Sequence, residues 1–78
     1  MWKEEKGRLV KDYKFKDFKQ AIAFVNQIAI ICEEQNHHPE IRNEYNRLKL
    51  SFCTHDAGFK ITEKDYEITR LIDQLNYD

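Results

Sequence analysis

Twice in 78 residues the apolar pattern changes from a period of two to the period of a helix, and that double switch constrains the fold more than any other feature. Residues 47–54 alternate, with Leu48, Leu50 and Phe52 on one face and Lys49, Ser51 and Cys53 on the other, which predicts a strand with one buried face. Residues 2–6 and 8–15 read as two short strands joined at Gly7, with Leu9, Lys11, Tyr13 and Phe15 on one side. Lys11 interrupts that otherwise apolar face. Residues 41–45, after Pro39, read as extended.

The helical period runs from Asp17 to about Gln35. Asp17 is placed to cap the free amides of a first turn, with Gln20 three residues on as in a capping box. Phe18, Ala21, Ile22, Val25, Ile28, Ala29 and Cys32 form the expected core stripe, and Phe24, Ile28 and Ile31 a second line on its flank. Thr62 and Asp65 repeat the capping-box spacing, and Ile68, Leu71, Ile72 and Leu75 mark the stripe of a last helix. The order strand, strand, helix, strand, strand, helix predicts an α+β two-layer sandwich: a four-stranded antiparallel sheet with two helices on one face.

A single domain over 1–78 follows from the length and from punctuation limited to Gly7, Pro39 and Gly58. A domain this size buries only roughly 60% of its unfolded surface. One sheet cannot cover so wide an apolar arc on the first helix, so that helix is expected to pack against symmetry mates in a homodimer or homotetramer. Thirteen basic against 14 acidic side chains leave a net charge of -1, which gives no electrostatic footprint for wrapping a polyphosphate, so direct nucleic-acid binding is not expected. No apolar run is long enough for a bilayer and the first residues lack the apolar segment of a signal peptide, so a cytoplasmic protein without membrane contact is expected. Cys32 and Cys53 read as buried free thiols.

The three histidines all fall near segment ends: His37 and His38 after the first helix, His55 after the clearest strand. Imidazole both donates and accepts protons near neutrality, so the group points to proton transfer or to metal binding. Metal sites on a helix need histidines three or four apart, or a Cys-x-x-Cys anchor, and neither occurs. Cys53 and Ser51 lie mid-strand with no base aimed at them, which disfavours a covalent nucleophile. Histidines that merely favour the negative end of the helix remain an alternative.

Glu33-x-x-x-His37-His38-Pro39, followed by Tyr45, His55 and Asp65, resembles the signature of the pterin-4a-carbinolamine dehydratases. Trp2, residues 11–18, Asn36 to Glu40, Tyr45-Asn46 and Thr54 to Gly58 resemble further blocks of that family, so the likeness covers essentially the whole chain. There are three departures: the family's N-terminal helix is absent, Ile41 replaces a Trp, and the loop at Gly58-Phe59-Lys60-Ile61 is slightly longer.

The resemblance implies dehydration of 4a-hydroxytetrahydrobiopterin to quinonoid dihydropterin in tetrahydrobiopterin recycling, with no cofactor and no metal. His37, His38 and His55 would be the catalytic imidazoles, His37 and His55 the more directly chemical pair. Glu33, Asn36, Cys53, Thr54 and Asp65 would contribute to substrate binding. Within that set, Glu33 is placed one turn before the pair to orient an imidazole, or is an ordinary helix-end glutamate; Cys53 and Thr54 would offer backbone groups; Asp65 competes with its role as a capping-box carboxylate. The other function class implied is a non-catalytic interaction module, because some family members are dimerisation partners of a transcription factor; Phe24 and Ile31 would be its contact surface.

Overall fold

Lys6 and Gly7 both take positive φ, 50° and 77°, the backbone that a two-residue hairpin demands. They fold Lys3–Glu5 (β1) back onto Arg8–Lys14 (β2). The computed structural model describes residues 1–75. An 18-residue helix, Phe18–Gln35 (α1), leads to a second hairpin of Glu40–Glu44 (β3) and Arg47–Phe52 (β4); a 3-10 turn at His55–Ala57 and a helix at Glu63–Asp73 (α2) complete the chain.

The sheet is antiparallel throughout, in the order β1-β2-β4-β3. Its register pairs Leu9 with Phe52, Lys11 with Leu50 and Tyr13 with Leu48. Directly opposed residues point the same way, so one face collects the apolar set, and both helices lie on it: Ala21, Phe24, Ile28 and Cys32 from α1 join Ile68 and Ile72 from α2 in one core. This is the α+β arrangement expected from the alternating periods. Among the described residues no helix is long and apolar enough to cross a membrane.

Lys11, the misfit on the apolar face, keeps its stem there and carries its ammonium to the edge, where it meets Asp73 at 3.2 Å and lies 5.0 Å from the Tyr13 ring centre. Asp73 also accepts from the Trp2 indole at 2.9 Å, and Trp2 packs edge-on to Phe52. The N-terminal strand is thereby tied to the end of α2.

Helix α1 is rotated relative to the expected stripe. Phe24, placed on the flank by periodicity, is 1% exposed in the core, while Phe18 is 51% exposed. The Phe24 ring centre lies 5.0 Å from Tyr13 and 5.4 Å from Phe15, so the aromatic wall of the sheet selects which face turns inward. A helix apolar on most sides does not encode that rotation by itself. Phe24 is therefore unavailable as a contact surface; Ile30, 62% exposed, and Phe18 are the large apolar side chains that α1 turns outward.

Candidate active site

Asp17 caps α1 as its position predicts, accepting from the Gln20 amide at 2.8 Å. At the other end Asn36 takes the left-handed conformation, φ 50° and ψ 47°, which asparagine tolerates better than most residues. The amides of Asn36 and His37 then close onto the Cys32 carbonyl. This reversal sends His37 back toward the sheet and leaves His38 outside. The His37 side chain is 10% exposed, with its ring stacked on Phe52 at 5.8 Å and 22°. His38 is exposed, its Nε2 2.5 Å from Glu33 Oε2, a hydrogen-bonded contact open to solvent.

What holds His37 comes from the other end of the chain. Thr62 and Asp65 form the capping box of α2. Asp65 is fully buried, and its carboxylate collects His37 Nε2 at 2.7 Å on Oδ1, with the Thr54 hydroxyl at 2.7 Å and the Thr62 amide at 2.8 Å on Oδ2. Burial pushes the carboxyl up, but the bonds from His37, the Thr62 amide and Thr54 outweigh it and hold Asp65 below the ordinary carboxylate range.

An ionised carboxylate only accepts, so the hydrogens in this cluster can be assigned. Thr54 donates its one proton to Asp65. The 2.6 Å contact between the Thr54 and Thr62 hydroxyls must then have Thr62 donating. His37 must carry its hydrogen on Nε2, which leaves the lone pair of the neutral ring on Nδ1.

His55 starts the 3-10 turn on a loop closed around Thr54: the Thr54 amide donates to the Lys60 carbonyl, and the Thr54 carbonyl accepts from Ala57, Phe59 and Lys60. Thr54's own backbone groups are thus consumed by the loop and are not offered to a ligand, contrary to the expectation for that residue; its side chain instead supports Asp65. The His55 ring is exposed and rests against Phe59, with ring centres 4.8 Å apart.

Asn36, His37, His38, Cys53, Thr54 and His55 line one cleft of about 160 Å³, together with Asp56 and Lys64. All three imidazoles meet there, although His55 lies 17 positions beyond His38 in the sequence. Neither Glu33 nor Asp65 lines the cleft: exposed Glu33 bonds His38, and buried Asp65 bonds His37, so Asp65 acts on a bound molecule through His37. Asp56 and Lys64 were not anticipated; their proximity to His55 and Asp65 in sequence was the available signal. A roomier hollow of about 790 Å³, among Asp12, Lys14, Arg42, Glu44, Arg47 and Lys49, has no histidine and lies away from this chemistry. Among the described residues no three His, Cys, Asp or Glu side chains converge to hold a metal ion. Burial, reinforced by Glu33, pushes the Cys32 thiol up to about 11, which makes it a core residue and not a nucleophile.

The family profile described as pterin 4 alpha carbinolamine dehydratase matches residues 1–75. The chain belongs to this family. A dehydratase-family protein of Thermomicrobium roseum is 45% identical over 74 residues, covering 95% of this chain and 78% of its relative. One of Trichormus variabilis is 44% identical over 75 residues, covering 96% and 80%. Both carry the name pterin-4-alpha-carbinolamine dehydratase provisionally. A crystal structure described as a transcriptional coactivator/pterin dehydratase from Brucella melitensis superimposes with a TM-score of 0.84 at 34% identity, over 92% of this chain and 78% of that one. A pterin dehydratase-like protein described as a RuBisCO assembly factor in the alpha-carboxysome shares the fold, with a TM-score of 0.73 at 19% identity, over 94% and 83%.

Proposed function

We propose that this protein dehydrates a 4a-hydroxytetrahydropterin, 4a-hydroxytetrahydrobiopterin in the first instance, to the quinonoid dihydropterin. The observation that carries the reading is the convergence of His37, His38 and His55 on one cleft, with the proton position of His37 set by buried Asp65. The reaction needs a proton delivered to the departing 4a-hydroxyl and another removed from N5. His37 accepts the N5 proton on Nδ1, the nitrogen that Asp65 leaves unprotonated. His55, as imidazolium, donates to the hydroxyl; the C4a–O bond breaks, the N5–C4a double bond forms, and water leaves. One proton has passed from His55 to the substrate and one from the substrate to His37, and exchange with solvent resets the pair. Each such group contributes typically about 10² to 10⁴-fold.

His38, paired with Glu33, and the cleft residues Asn36 and Cys53 position the substrate, while Asp65, supported by the Thr54 hydroxyl, positions His37. The chemistry calls on no cofactor. In this reading the protein works in the cytoplasm, as a homodimer or homotetramer, to recycle tetrahydrobiopterin. Quinonoid dihydropterin formation from 4a-hydroxytetrahydropterin generated in situ tests it: acceleration over the spontaneous reaction, lost in His37→Ala and His55→Ala variants that stay folded, is expected. Wild-type rates in both variants would refute the assignment.

A second reading, a binding module, is supported by the exposed Ile30 on α1 and by the coactivator description of the Brucella melitensis relative. A folded wild-type protein with no acceleration would favour it.

A further inference from the structure

His37 and His38 each lean on a carboxylate, but His55 does not. Among the described residues its exposed ring has no hydrogen-bond partner, and its ring neighbour is Phe59, with centres 4.8 Å apart and planes at 40°. Phe59 is itself anomalous twice over. Its φ is +61°, where a bulky side chain is strained. It is also 63% exposed, so the ring gains little from burial in return for that strain. Lys6 and Tyr45 share the positive φ, but they are corners of two-residue hairpins whose ladders impose it. Phe59 instead follows Gly58, itself at φ +80°, on the loop pinned to Thr54 by its own amide at 3.1 Å. A glycine would fit this backbone without strain.

We infer that Phe59 is a positioning residue for His55: the strained loop holds an aromatic ring where it restricts the imidazole to the orientation used at the cleft. This deepens the dehydratase reading and rests on it. The geometry explains why a large apolar side chain occupies an exposed, glycine-like position, since no core contact needs it there. A flexible imidazole on a surface turn samples several rotamers; a ring packed against it removes some of them, and misplacement of a proton donor by about 1 Å can cost on the order of 100-fold in rate.

The test is Phe59→Gly beside Phe59→Tyr, each followed by thermal melting, by kcat and KM for the dehydration, and by aromatic NMR of the His55 ring. Wild-type His55 ring protons are expected to show the ring-current displacement of a close, tilted aromatic neighbour, retained in Phe59→Tyr and absent in Phe59→Gly. Phe59→Gly is expected to melt at or above the wild-type temperature while kcat falls about tenfold, with KM changed less than about twofold; Phe59→Tyr restores kcat. Stability and turnover moving in opposite directions is a result that a merely structural phenylalanine does not produce. The inference is overturned if Phe59→Gly keeps wild-type kcat, if it loses stability and activity together, or if the wild-type His55 protons lack the displacement. A wild-type protein with that displacement but no dehydration would overturn the dehydratase reading, and the catalytic meaning of the contact with it.

Discussion

Replacing Asp65 by asparagine removes a charge without removing volume, and the surrounding donors dictate how the amide must sit. The Thr62 backbone amide cannot turn around, so the new carbonyl oxygen has to face it, together with the Thr54 hydroxyl. The amide NH2 group then faces His37, 2.7 Å from Nε2 in the native geometry. Two donors cannot share that contact. His37 must therefore shift its hydrogen to Nδ1, which removes the lone pair assigned to the N5 proton. The Asp65→Asn variant is expected to lose about 10² to 10⁴-fold in kcat, the upper figure being that of a tautomer inversion in the serine protease triad.

The stability cost follows from the same three bonds. Hydrogen bonds to a charged acceptor are worth roughly 1 kcal/mol more than neutral ones, and the burial cost of the charge offsets part of that gain, so the loss at neutral pH is expected to be below about 3 kcal/mol. Because the folded carboxyl lies below its ordinary range, its stabilisation is fully present above the unfolded value of about 3.9 and disappears as pH falls through the folded value. The gap between wild type and Asp65→Asn in urea unfolding should thus narrow on acidification below about pH 4. Long-range 15N correlations of the neutral imidazole report the tautomer directly. An Asp65→Asn protein that keeps the Nε2-protonated ring, or that keeps wild-type kcat, would refute the reasoning.

Leu50→Ala, at a fully buried centre of the sheet face, should cost about 2–5 kcal/mol in denaturant unfolding, and a loss below about 1 kcal/mol would mean that the site can collapse around the cavity. Cys32, with its thiol pushed up to about 11 and buried, should resist thiol reagents at pH 8 in the folded protein and react only after unfolding; rapid native labelling at that position would contradict the packing. Ile30→Glu tests the outer face of α1: light scattering should find wild type above monomer mass and the variant shifted toward monomer, whereas a wild-type monomer at high concentration would end the oligomer expectation.

The element order and the antiparallel two-layer class were legible in the sequence because side-chain period is a local property of backbone geometry: the alternation of Leu48, Leu50 and Phe52 marks the core face of a strand, although Ser51 and Cys53 on the other side are buried as well, which the period alone did not show. The capping residues Asp17, Thr62 and Asp65 were legible for the same reason, since a cap satisfies amides within three positions of itself. The histidine grouping and its family likeness pointed to the chemistry. Only the tertiary structure decided the rotation of α1, where aromatic contacts from β2 chose Phe24 over a competing stripe. It also decided the partnership of His37 with Asp65, 28 positions away, which turns a helix cap into the group that sets an imidazole's proton. The Thr54 backbone, the Phe59 ring and the cleft positions of Asp56 and Lys64 likewise depend on how one loop closes against another. Such contacts join residues distant in sequence, and their geometry comes from packing, which no local period encodes.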